Sequence, residues 1–222
     1  MKRESSTSYD SKFNICIVGS PKIGKTSYIM RIIDDKFLAT YNKTCGINTH
    51  TYKKELNKAC YLFKFWDLSG ETKPILSNEF YRSIDCFIFA FAQNDKNSFN
   101  NVKEWMDYVM SKKISLYHSL LLCLKSDTHL ENNSEETNIN STVEESEVKR
   151  ISLDYEIDYI NVSSKDNYNI KESLEILLNK MLMKLGNDGA NLLNAEEHMS
   201  NSGCLIFWFN FFEYKTINNT KI

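Results

Sequence analysis

The sequence lacks several features that mark particular classes of protein. Its six cysteines are far apart, with no C-x-x-C pair and no metal-binding spacing, which predicts reduced core thiols in a cytosolic protein. No stretch reaches the roughly 20 apolar residues that a membrane span requires. Residues 1–12 are polar and lack the apolar segment of a signal peptide, so we expect them to form a disordered N-terminal arm.

The charge balance gives no indication that nucleic acid is a partner. The net charge is −2 at pH 7 and the basic residues are dispersed, so the electrostatic footprint of a nucleic-acid-binding protein is missing. With 222 residues, of which 42% are apolar, the chain is long enough for one domain with a full core and appendages. We expect this domain to be a monomer.

A glycine-containing motif lies between an apolar strand and a helix with periodic apolar residues. It comprises Gly19, Ser20, Pro21, Lys22, Ile23, Gly24, Lys25, Thr26 and, where the helix continues, Ser27. Gly19 and Gly24 allow backbone N–H groups to converge on phosphate oxygens, and the positive end of the helix adds to this cradle. Lys25 would reach the β- and γ-phosphates, and the Thr26 hydroxyl would bind Mg²⁺. Pro21 departs from a glycine-rich loop because it removes one N–H donor.

Apolar runs and helical periodicities alternate along the chain. Strands are predicted at 13–18, 49–56, 61–66, 86–91, 120–124 and 159–162, and helices at 27–33, 78–83, 98–110, 144–153 and 170–185. Ser98 is the expected cap of its helix. The second and third strands form a hairpin. The alternation predicts an α/β fold: a mostly parallel six-stranded sheet with one antiparallel edge strand and helices on both faces.

Polar residues follow three of the predicted strands. Asp67 and the flexible Gly70 come after the strand at 61–66, and the triplets 125–127 and 163–165 come after two later strands. The carboxyl ends of parallel strands share one edge of a sheet, where α/β proteins bind ligands. Asp67 has the alternative role of capping a turn, but the phosphate loop upstream favours the ligand-binding role.

Two segments lack the pattern of a packed core. Residues 37–48 are polar without a sustained period, which predicts a mobile loop. Residues 130–142 form a low-complexity acidic stretch, which predicts a solvated insertion. The predicted organisation is an N-terminal arm at 1–12, a domain at 13–185 that carries this insertion, and a variable tail at 186–222 with a short apolar run at 204–214.

Five motifs in this order resemble those of the Ras-superfamily small GTPases, and most of all the Rab branch, from about residue 13 to residue 185. They are the phosphate loop, Thr44 followed by Cys45-Gly46-Ile47-Asn48, Trp66-Asp67-Leu68-Ser69-Gly70-Glu71, Phe80-Tyr81-Arg82-Ser83-Ile84, and the guanine-binding pair Lys125-Ser126-Asp127 and Ser163-Ser164-Lys165. The resemblance implies a single P-loop GTPase domain that binds GTP, GDP and Mg²⁺, hydrolyses GTP and orders two switch loops in the GTP state.

The resemblance also implies roles for the residues at the phosphate end. Thr44 completes the Mg²⁺ shell together with Thr26, and Asp67 holds the ion through water. The N–H of Gly70 meets the γ-phosphate, and Lys25 neutralises its charge. Thr26, Thr44 and Asp67 would form the metal site, and Lys25, Thr44, Gly70 and Glu71 would form the catalytic site.

At the base end, the resemblance implies selectivity for guanine. Asp127 accepts hydrogen bonds from the ring N–H and the exocyclic amine of guanine, which adenine cannot reproduce. Lys125 lies along the base, and backbone N–H groups around Ser164 and Lys165 contact the guanine carbonyl. Phe37 packs against the base, with a place in the core as the alternative.

Three residues depart from the family pattern. Glu71 replaces the Gln that orients the attacking water, and a carboxylate is repelled by the charge of the transition state, so we expect slow hydrolysis. Leu124 replaces the Asn of the N-K-x-D motif, and one or two lost hydrogen bonds predict that binding weakens by roughly 1–3 kcal/mol. Pro21 lies where an activating arginine would have to enter.

The leading hypothesis is a Rab-type switch in vesicle trafficking that recruits effectors to an intracellular membrane when it holds GTP. Effectors, exchange factors and GTPase-activating proteins would bind through residues 37–48 and 67–84. Phe65, Trp66 and Tyr81 are the candidates for an apolar effector surface, with core positions as the alternative. A pseudo-GTPase that serves as an interaction scaffold is the alternative from another class, and a P-loop kinase or ATPase is a third.

The tail also departs from the family pattern. Members of the Rab branch usually end in cysteines for prenylation, whereas this sequence has no C-terminal C-a-a-X box. Cys204 lies upstream, beside an apolar run that is too short to span a bilayer. Three interpretations stay open: a membrane anchor, a partner-docking segment, and an extension from an inaccurate gene model. We expect a cytoplasmic protein, and leave open a peripheral location on the cytosolic face of an endomembrane.

Overall fold

The structure, a computed structural model, describes residues 9–37, 39–56, 58–71, 76–129 and 141–184. Contacts divide the chain into Met1–Met181 and Leu182–Ile222, and only the end of the last helix is described in the second unit. All contacts given below lie within the first unit. The predictions for residues 1–8, 130–140 and 185–222 fall outside the described residues.

Strands and helices alternate along the described residues. The strands are β1 (Ser11–Val18), β2 (Ile47–Leu56), β3 (Ala59–Leu68), β4 (Cys86–Ala92), β5 (Leu120–Leu124) and β6 (Asp158–Asn161). The α-helices are α1 (Lys25–Asp34), α2 (Asn78–Arg82), α3 (Lys96–Ser111), α4 (Glu145–Asp154) and α5 (Ile170–Lys184), and a 3₁₀ turn covers Ser126–His129. No helix within these described residues is both long and apolar enough to cross a membrane.

The six strands form one sheet in the order β2-β3-β1-β4-β5-β6. β2 pairs with β3 in the antiparallel direction, and every other neighbouring pair is parallel. The predicted α/β fold, with its mostly parallel six-stranded sheet and antiparallel edge strand, is therefore confirmed. Because the other five strands all run in one direction, the loops after them meet at one edge of the sheet.

The core explains why those loops have a rigid base. β4 and β5 are buried along their whole length, as their continuous apolar runs predict for parallel strands that helices cover on both faces. The apolar stripe of α3 packs onto β4, where the ring centroids of Phe91 and Phe99 are 4.9 Å apart. The buried apolar residues of this stripe are Phe99, Val102, Trp105, Met106 and Val109.

The start of α3 differs from the prediction. The helix begins at Lys96, and its cap is Asp95, whose side chain accepts a hydrogen bond from the Ser98 N–H at 3.0 Å. The prediction of Ser98 as the cap was wrong, because its hydroxyl is buried and forms hydrogen bonds with residues that precede it in the chain. It donates to the Asp95 carbonyl at 2.6 Å and accepts from the Ala92 N–H at 3.0 Å, which joins α3 to the end of β4.

Four strands, β1 to β4, are longer than predicted, and β1 and β3 are the two that bear on the site. β1 begins at Ser11, inside the predicted N-terminal arm, because Ser11 and Lys12 pair with β3. β3 continues through Asp67 and Leu68, since the β2–β3 hairpin keeps its antiparallel register to the Ile47–Leu68 pair. Asp67 therefore lies within a strand, not in the turn that follows it.

Candidate functional site

The carboxyl edge of the sheet brings the predicted motifs together. The phosphate loop follows β1, Gly70 and Glu71 follow β3, and the triplets 125–127 and 163–165 follow β5 and β6. Contacts join these loops: the Lys125 ammonium donates to the Lys22 carbonyl at 3.0 Å, and the Ser163 hydroxyl donates to Asp127 Oδ1 at 2.7 Å. All of these loops therefore contribute to one candidate site.

The backbone of the phosphate loop needs its glycines. Gly19 has φ +144°, and a Cβ there would lie 2.1 Å from the Ala90 carbonyl oxygen of β4. Gly24 precedes α1 with φ +106°. Lys22, a residue with a side chain, also adopts a left-handed conformation with φ +62°. The loop is thus held in a conformation that L-residues rarely adopt, and it passes close to β4.

Lys25 begins α1 and is buried within the loop that precedes it. Its ammonium donates to the Gly19 carbonyl at 3.0 Å and to the Ser20 carbonyl at 2.7 Å. Burial lowers the pKa of Lys25 to about 8, and the charge of Asp67 acts in the opposite direction. A positive group is therefore held among neutral carbonyls, where an anionic ligand would stabilise its charge.

Three oxygen-bearing side chains meet beside Lys25. The Thr26 hydroxyl donates to Asp67 Oδ2 at 2.6 Å and lies 3.0 Å from the Thr44 hydroxyl. Because Thr26 has only one hydroxyl hydrogen, Thr44 is the donor in the second contact. Thr44 belongs to the loop before β2, so this cluster joins that loop to α1 and β3.

Asp67 is the buried member of this cluster. Its carboxyl group is fully buried, and its Oδ1 has no hydrogen-bond partner among the described residues. Burial raises the pKa of Asp67, opposed by the Thr26 hydrogen bond and the Lys25 charge. A buried carboxylate oxygen without a partner, beside two hydroxyls, fits a hard cation such as Mg²⁺. The described residues contain no group of three His, Cys, Asp or Glu side chains that could hold a metal.

The two loops that flank the cluster also contact each other. Lys43 Nζ and Glu71 Oε1 form an ion pair at 2.9 Å, in which both side chains are about half exposed. The hydrogen bond and charge of Glu71 raise the pKa of Lys43. The Ser69 N–H donates to the Gly46 carbonyl at 2.9 Å, a second link between the loops. The carboxylate that replaces the family Gln therefore has a cationic partner.

Gly70 lies directly against the phosphate loop. A Cβ at Gly70 would fall 2.3 Å from the backbone nitrogen of Pro21 and 2.5 Å from the Gly19 carbonyl oxygen. Any side chain at this position would displace one of the two loops. The loop after β3 is therefore in position to respond to a ligand bound at the phosphate loop.

The base end of the site has a different composition. Asp127 accepts from Ser163, whose hydroxyl oxygen in turn accepts the Asp166 N–H at 3.0 Å. Leu124, at the end of β5, is buried in the core and supplies no polar group there. Phe37 is 39% exposed, so the alternative that placed it in the core is wrong.

Arg31 is a residue at this end that the sequence did not reveal. Its Nε donates to the Ser164 carbonyl at 2.8 Å and its Nη2 to the Lys165 carbonyl at 3.1 Å. An arginine in the last turn of a helix needs no ligand site to explain it, because it complements the helix dipole. The two segments are more than 130 residues apart, and no local pattern could have paired them.

The candidates for an apolar effector surface separate into two groups. Phe65 and Tyr81 are fully buried, so their core alternative is correct. Trp66 is partly exposed and packs edge to face on Phe80, with ring centroids 5.2 Å apart. The Lys64 ammonium lies 3.9 Å from the centroid of the Trp66 ring. Of the three predicted residues, only Trp66 is available at the surface.

Comparisons with known proteins agree with this site. The Ras family model matches residues 14–183. GTP-binding protein ypt1 of Schizosaccharomyces pombe is 24% identical over 189 residues, which cover 85% of this chain and 89% of the relative. Ras-related protein Rab-13 of Rattus norvegicus is 25% identical over 179 residues, 80% of this chain and 84% of the relative. Ras-related protein Rab-3A of Homo sapiens is 25% identical over 185 residues, 83% of this chain and 80% of the relative.

The family match begins within β1 and ends one residue before the end of α5, so it includes all the loops that form the site. The parallel strands of the sheet place the phosphate loop and the triplets 125–127 and 163–165 at one edge. The chain therefore belongs to the Ras family, as a Rab-like small GTPase.

Proposed function

We propose that this protein is a guanine-nucleotide switch of the Rab type that acts in vesicle trafficking and hydrolyses GTP slowly. The observation that carries the proposal is the contact of Thr26 with both Thr44 and Asp67. These three residues come from α1, from the loop before β2 and from β3. A ligand bound at the phosphate loop therefore acts on both switch loops at once.

The phosphate end supplies the binding energy for the triphosphate. The residues of the cradle are Gly19, Ser20, Pro21, Lys22, Ile23, Gly24, Lys25, Thr26 and Ser27. Lys25 neutralises the β- and γ-phosphates, and the Gly70 N–H binds the γ-phosphate. Thr26, Thr44 and Asp67 hold Mg²⁺, which supplies positive charge to the phosphate oxygens when bound. Lys25, Thr44, Gly70 and Glu71 form the catalytic set.

The base end supplies the selectivity for guanine. Asp127 accepts from the ring N–H and the exocyclic amine, and Lys125 covers the base while its ammonium is anchored on the Lys22 carbonyl. Phe37, which is exposed, packs on the base from the loop after α1. The backbone around Ser163, Ser164 and Lys165 binds the guanine carbonyl.

Slow hydrolysis follows from Glu71 and Pro21. Glu71 brings a negative charge to the edge of the γ-phosphate site, and a carboxylate cannot donate the hydrogen bonds of the Gln that it replaces. Its ion pair with Lys43 reduces this repulsion without restoring a donor. Pro21 lies against Gly70, where an activating arginine from a partner would have to enter.

The cellular role is proposed from the relatives, which carry Rab and Ypt names. Effectors, exchange factors and GTPase-activating proteins would bind residues 37–48 and 67–84, with Trp66 and Phe80 as an apolar contact. We propose a cytoplasmic monomer that associates peripherally with the cytosolic face of an endomembrane, through Cys204 or the apolar run at 204–214.

A pseudo-GTPase scaffold is the second candidate, and the burial of Leu124 favours it. The replacement of the family Asn by a core leucine removes a polar contact to the base. Glu71 favours the same candidate, because a protein that only binds partners has no need of an efficient hydrolytic residue.

Fluorescent mant-GTP and mant-GDP binding with Mg²⁺, competed with ATP, distinguishes the two candidates. The switch predicts guanine-selective binding at micromolar or lower dissociation constants, together with slow single-turnover release of phosphate from the same samples. A scaffold predicts either undetectable guanine binding or bound GTP that is never hydrolysed. The first of these results would refute the switch.

A further inference from the structure

We propose that Arg31 is a positioning residue that sets guanine selectivity by fixing the loop at 163–166. The proposal rests on the proposed function and extends it to a residue outside the motifs that contact the nucleotide. It concerns recognition of the carbonyl on the six-membered ring of guanine.

The guanidinium of Arg31 makes four contacts, one of which is an ion pair between Nη1 and Asp35 Oδ1 at 3.4 Å. Nε and Nη2 donate to two consecutive carbonyls, those of Ser164 and Lys165, and Nη1 donates to the Asp35 carbonyl at 2.9 Å. The Arg31 side chain is only 12% exposed. A planar fork that meets several acceptors in a nearly buried position fixes them more firmly than a single ammonium can.

The two carbonyls determine where the N–H groups of the loop point. In a trans peptide, the carbonyl of one residue and the N–H of the next point in opposite directions. The Ser164 carbonyl faces Arg31, so the Lys165 N–H points away from α1. The Lys165 carbonyl also faces Arg31, and the Asp166 N–H accordingly points away and donates to the Ser163 hydroxyl oxygen at 3.0 Å.

The same loop is tied to the end of α1 at a second place. Asp35 follows α1 in a left-handed conformation, and its N–H donates to the Arg31 carbonyl at 3.2 Å. Its Oδ1 accepts from the Asn167 side-chain amide at 3.2 Å. The end of α1 and the loop after β6 are therefore one hydrogen-bonded unit, and Arg31 lies at its centre.

The chemistry of the base separates the role of Arg31 from that of Asp127. Guanine presents a carbonyl to the N–H groups of the loop, and an amine and a ring N–H to Asp127. Without Arg31, the loop N–H groups lose their fixed direction, so recognition of the carbonyl weakens most. Recognition of the amine weakens less, because only the Ser163 hydrogen bond connects Asp127 to this loop. Two analogues test these contacts one at a time: 6-thio-GTP replaces the carbonyl oxygen by sulfur, and ITP lacks the amine.

The experiment compares dissociation constants for GTP, 6-thio-GTP and ITP in the full chain and in Arg31→Lys and Arg31→Met. We expect GTP affinity to fall about tenfold in Arg31→Met, since charge-assisted hydrogen bonds are lost. In both variants the preference for GTP over 6-thio-GTP should fall clearly more than the preference for GTP over ITP. Arg150→Lys, an exposed change on α4, is the matched control.

Each outcome decides the proposal. An unchanged preference for GTP over 6-thio-GTP in folded variants would overturn the role of Arg31 and leave the switch intact. Equal losses of both preferences would indicate a general structural role and would also overturn it. If the unmodified protein binds no guanine nucleotide, the proposed function fails and this inference with it. Circular dichroism verifies folding, and Arg31→Lys, which keeps the charge and length, decides the matter if Arg31→Met does not fold.

Discussion

The phosphate end and the base end of the candidate site are built from different kinds of contact. At the phosphate end, charged groups are buried with incomplete partners: Lys25 lies among carbonyls, and Asp67 has an oxygen that accepts no hydrogen bond from the described residues. At the base end, the polar groups already have partners: Asp127 accepts a hydrogen bond from Ser163, and the Ser164 carbonyl accepts one from Arg31. A core leucine stands there in place of a polar side chain.

This difference indicates where the ligand contributes most to stability. Buried charges without full partners are unfavourable until a ligand of the opposite charge binds. Polar groups that already have hydrogen-bond partners within the protein gain less free energy when a ligand binds. We therefore expect the phosphates to contribute more to affinity than the base does. The base end would supply selectivity, because hydrogen bonds within the protein already fix the positions of Asp127 and the loop at 163–166.

The largest expected effect is the loss of Lys25. In Lys25→Met, the affinity for mant-GDP should fall about 100-fold or more, because the buried ammonium is the main counter-charge of the phosphates. Lys149→Met, which removes an exposed lysine on α4, is the control and should leave the affinity unchanged. Equal affinities in the two variants would contradict the account of the phosphate end.

Lys25 also predicts a pH dependence without nucleotide. Its pKa is about 8 in the folded protein and about 10.5 in the unfolded chain, so between these values the unfolded chain binds more protons. The free energy of unfolding should therefore rise with pH from about pH 8 towards pH 10. Urea denaturation should show this rise in the unmodified protein and a smaller one in Lys25→Met. A parallel pH profile of the two proteins would speak against a buried ammonium.

Asp67→Asn should separate metal binding from stability. The affinity of the GTP-bound protein for Mg²⁺ should fall about 10- to 100-fold, as when a residue that orients a metal's ligands is removed. Without ligand the variant should be more stable than the unmodified protein at neutral pH, because burial raises the pKa of the Asp67 carboxyl and disfavours its charge. As the pH falls through that raised pKa, the carboxyl becomes neutral and the two stabilities should converge. Thermal unfolding with and without Mg²⁺ measures both effects.

Glu71→Gln tests hydrolysis while leaving binding in place. The single-turnover rate should rise about tenfold, because an amide can donate to the attacking water and carries no repelling charge. Glu71→Ala, which removes the charge without adding a donor, is the control. A rate in Glu71→Gln no higher than in Glu71→Ala would show that the donor is not the missing component.

Leu124→Asn should strengthen the weaker end of the site. Guanine affinity is expected to rise about fivefold, near the lower end of the effect of one hydrogen bond to the base. Leu122→Asn controls for loss of core packing, because Leu122 is buried two residues earlier on the same face of β5. Thermal unfolding of both variants shows how much of any change comes from the core. A fall in affinity with unchanged stability would mean that the base end needs no polar group here.

The smallest expected effect concerns the Lys43–Glu71 ion pair. Lys43→Ala should change the ratio of GTP to GDP affinity about twofold, as expected for an exposed pair. The change should shrink in high salt and disappear when Glu71 is already Gln. Lys149→Ala breaks an exposed pair of the same length and should have no effect on the ratio. An effect that persists in the Glu71→Gln background would show that Lys43 acts without Glu71.

The sequence predicted the fold because its buried strands are unbroken apolar runs and its phosphate loop has a fixed spacing. β4 and β5 could be recognised this way. Residues that act over long sequence distances could not be found, and Arg31 is the clearest case, since only the fold brings α1 to the loop after β6. Phe65 and Tyr81 could not be assigned to core or surface, because an aromatic residue in a strand or short helix fits either. The position of Asp67 inside β3 depended on the register of the hairpin.

The comparison between the two ends is tested by the affinities of GDP, ADP and GMP in the same buffer with Mg²⁺. Replacing guanine by adenine alters only the base end, and removing the β-phosphate alters only the phosphate end. We expect GDP to bind best, ADP to be weaker and GMP to be weakest. A protein that binds GMP more tightly than ADP would draw its affinity chiefly from the base, and the difference proposed between the two ends would be wrong.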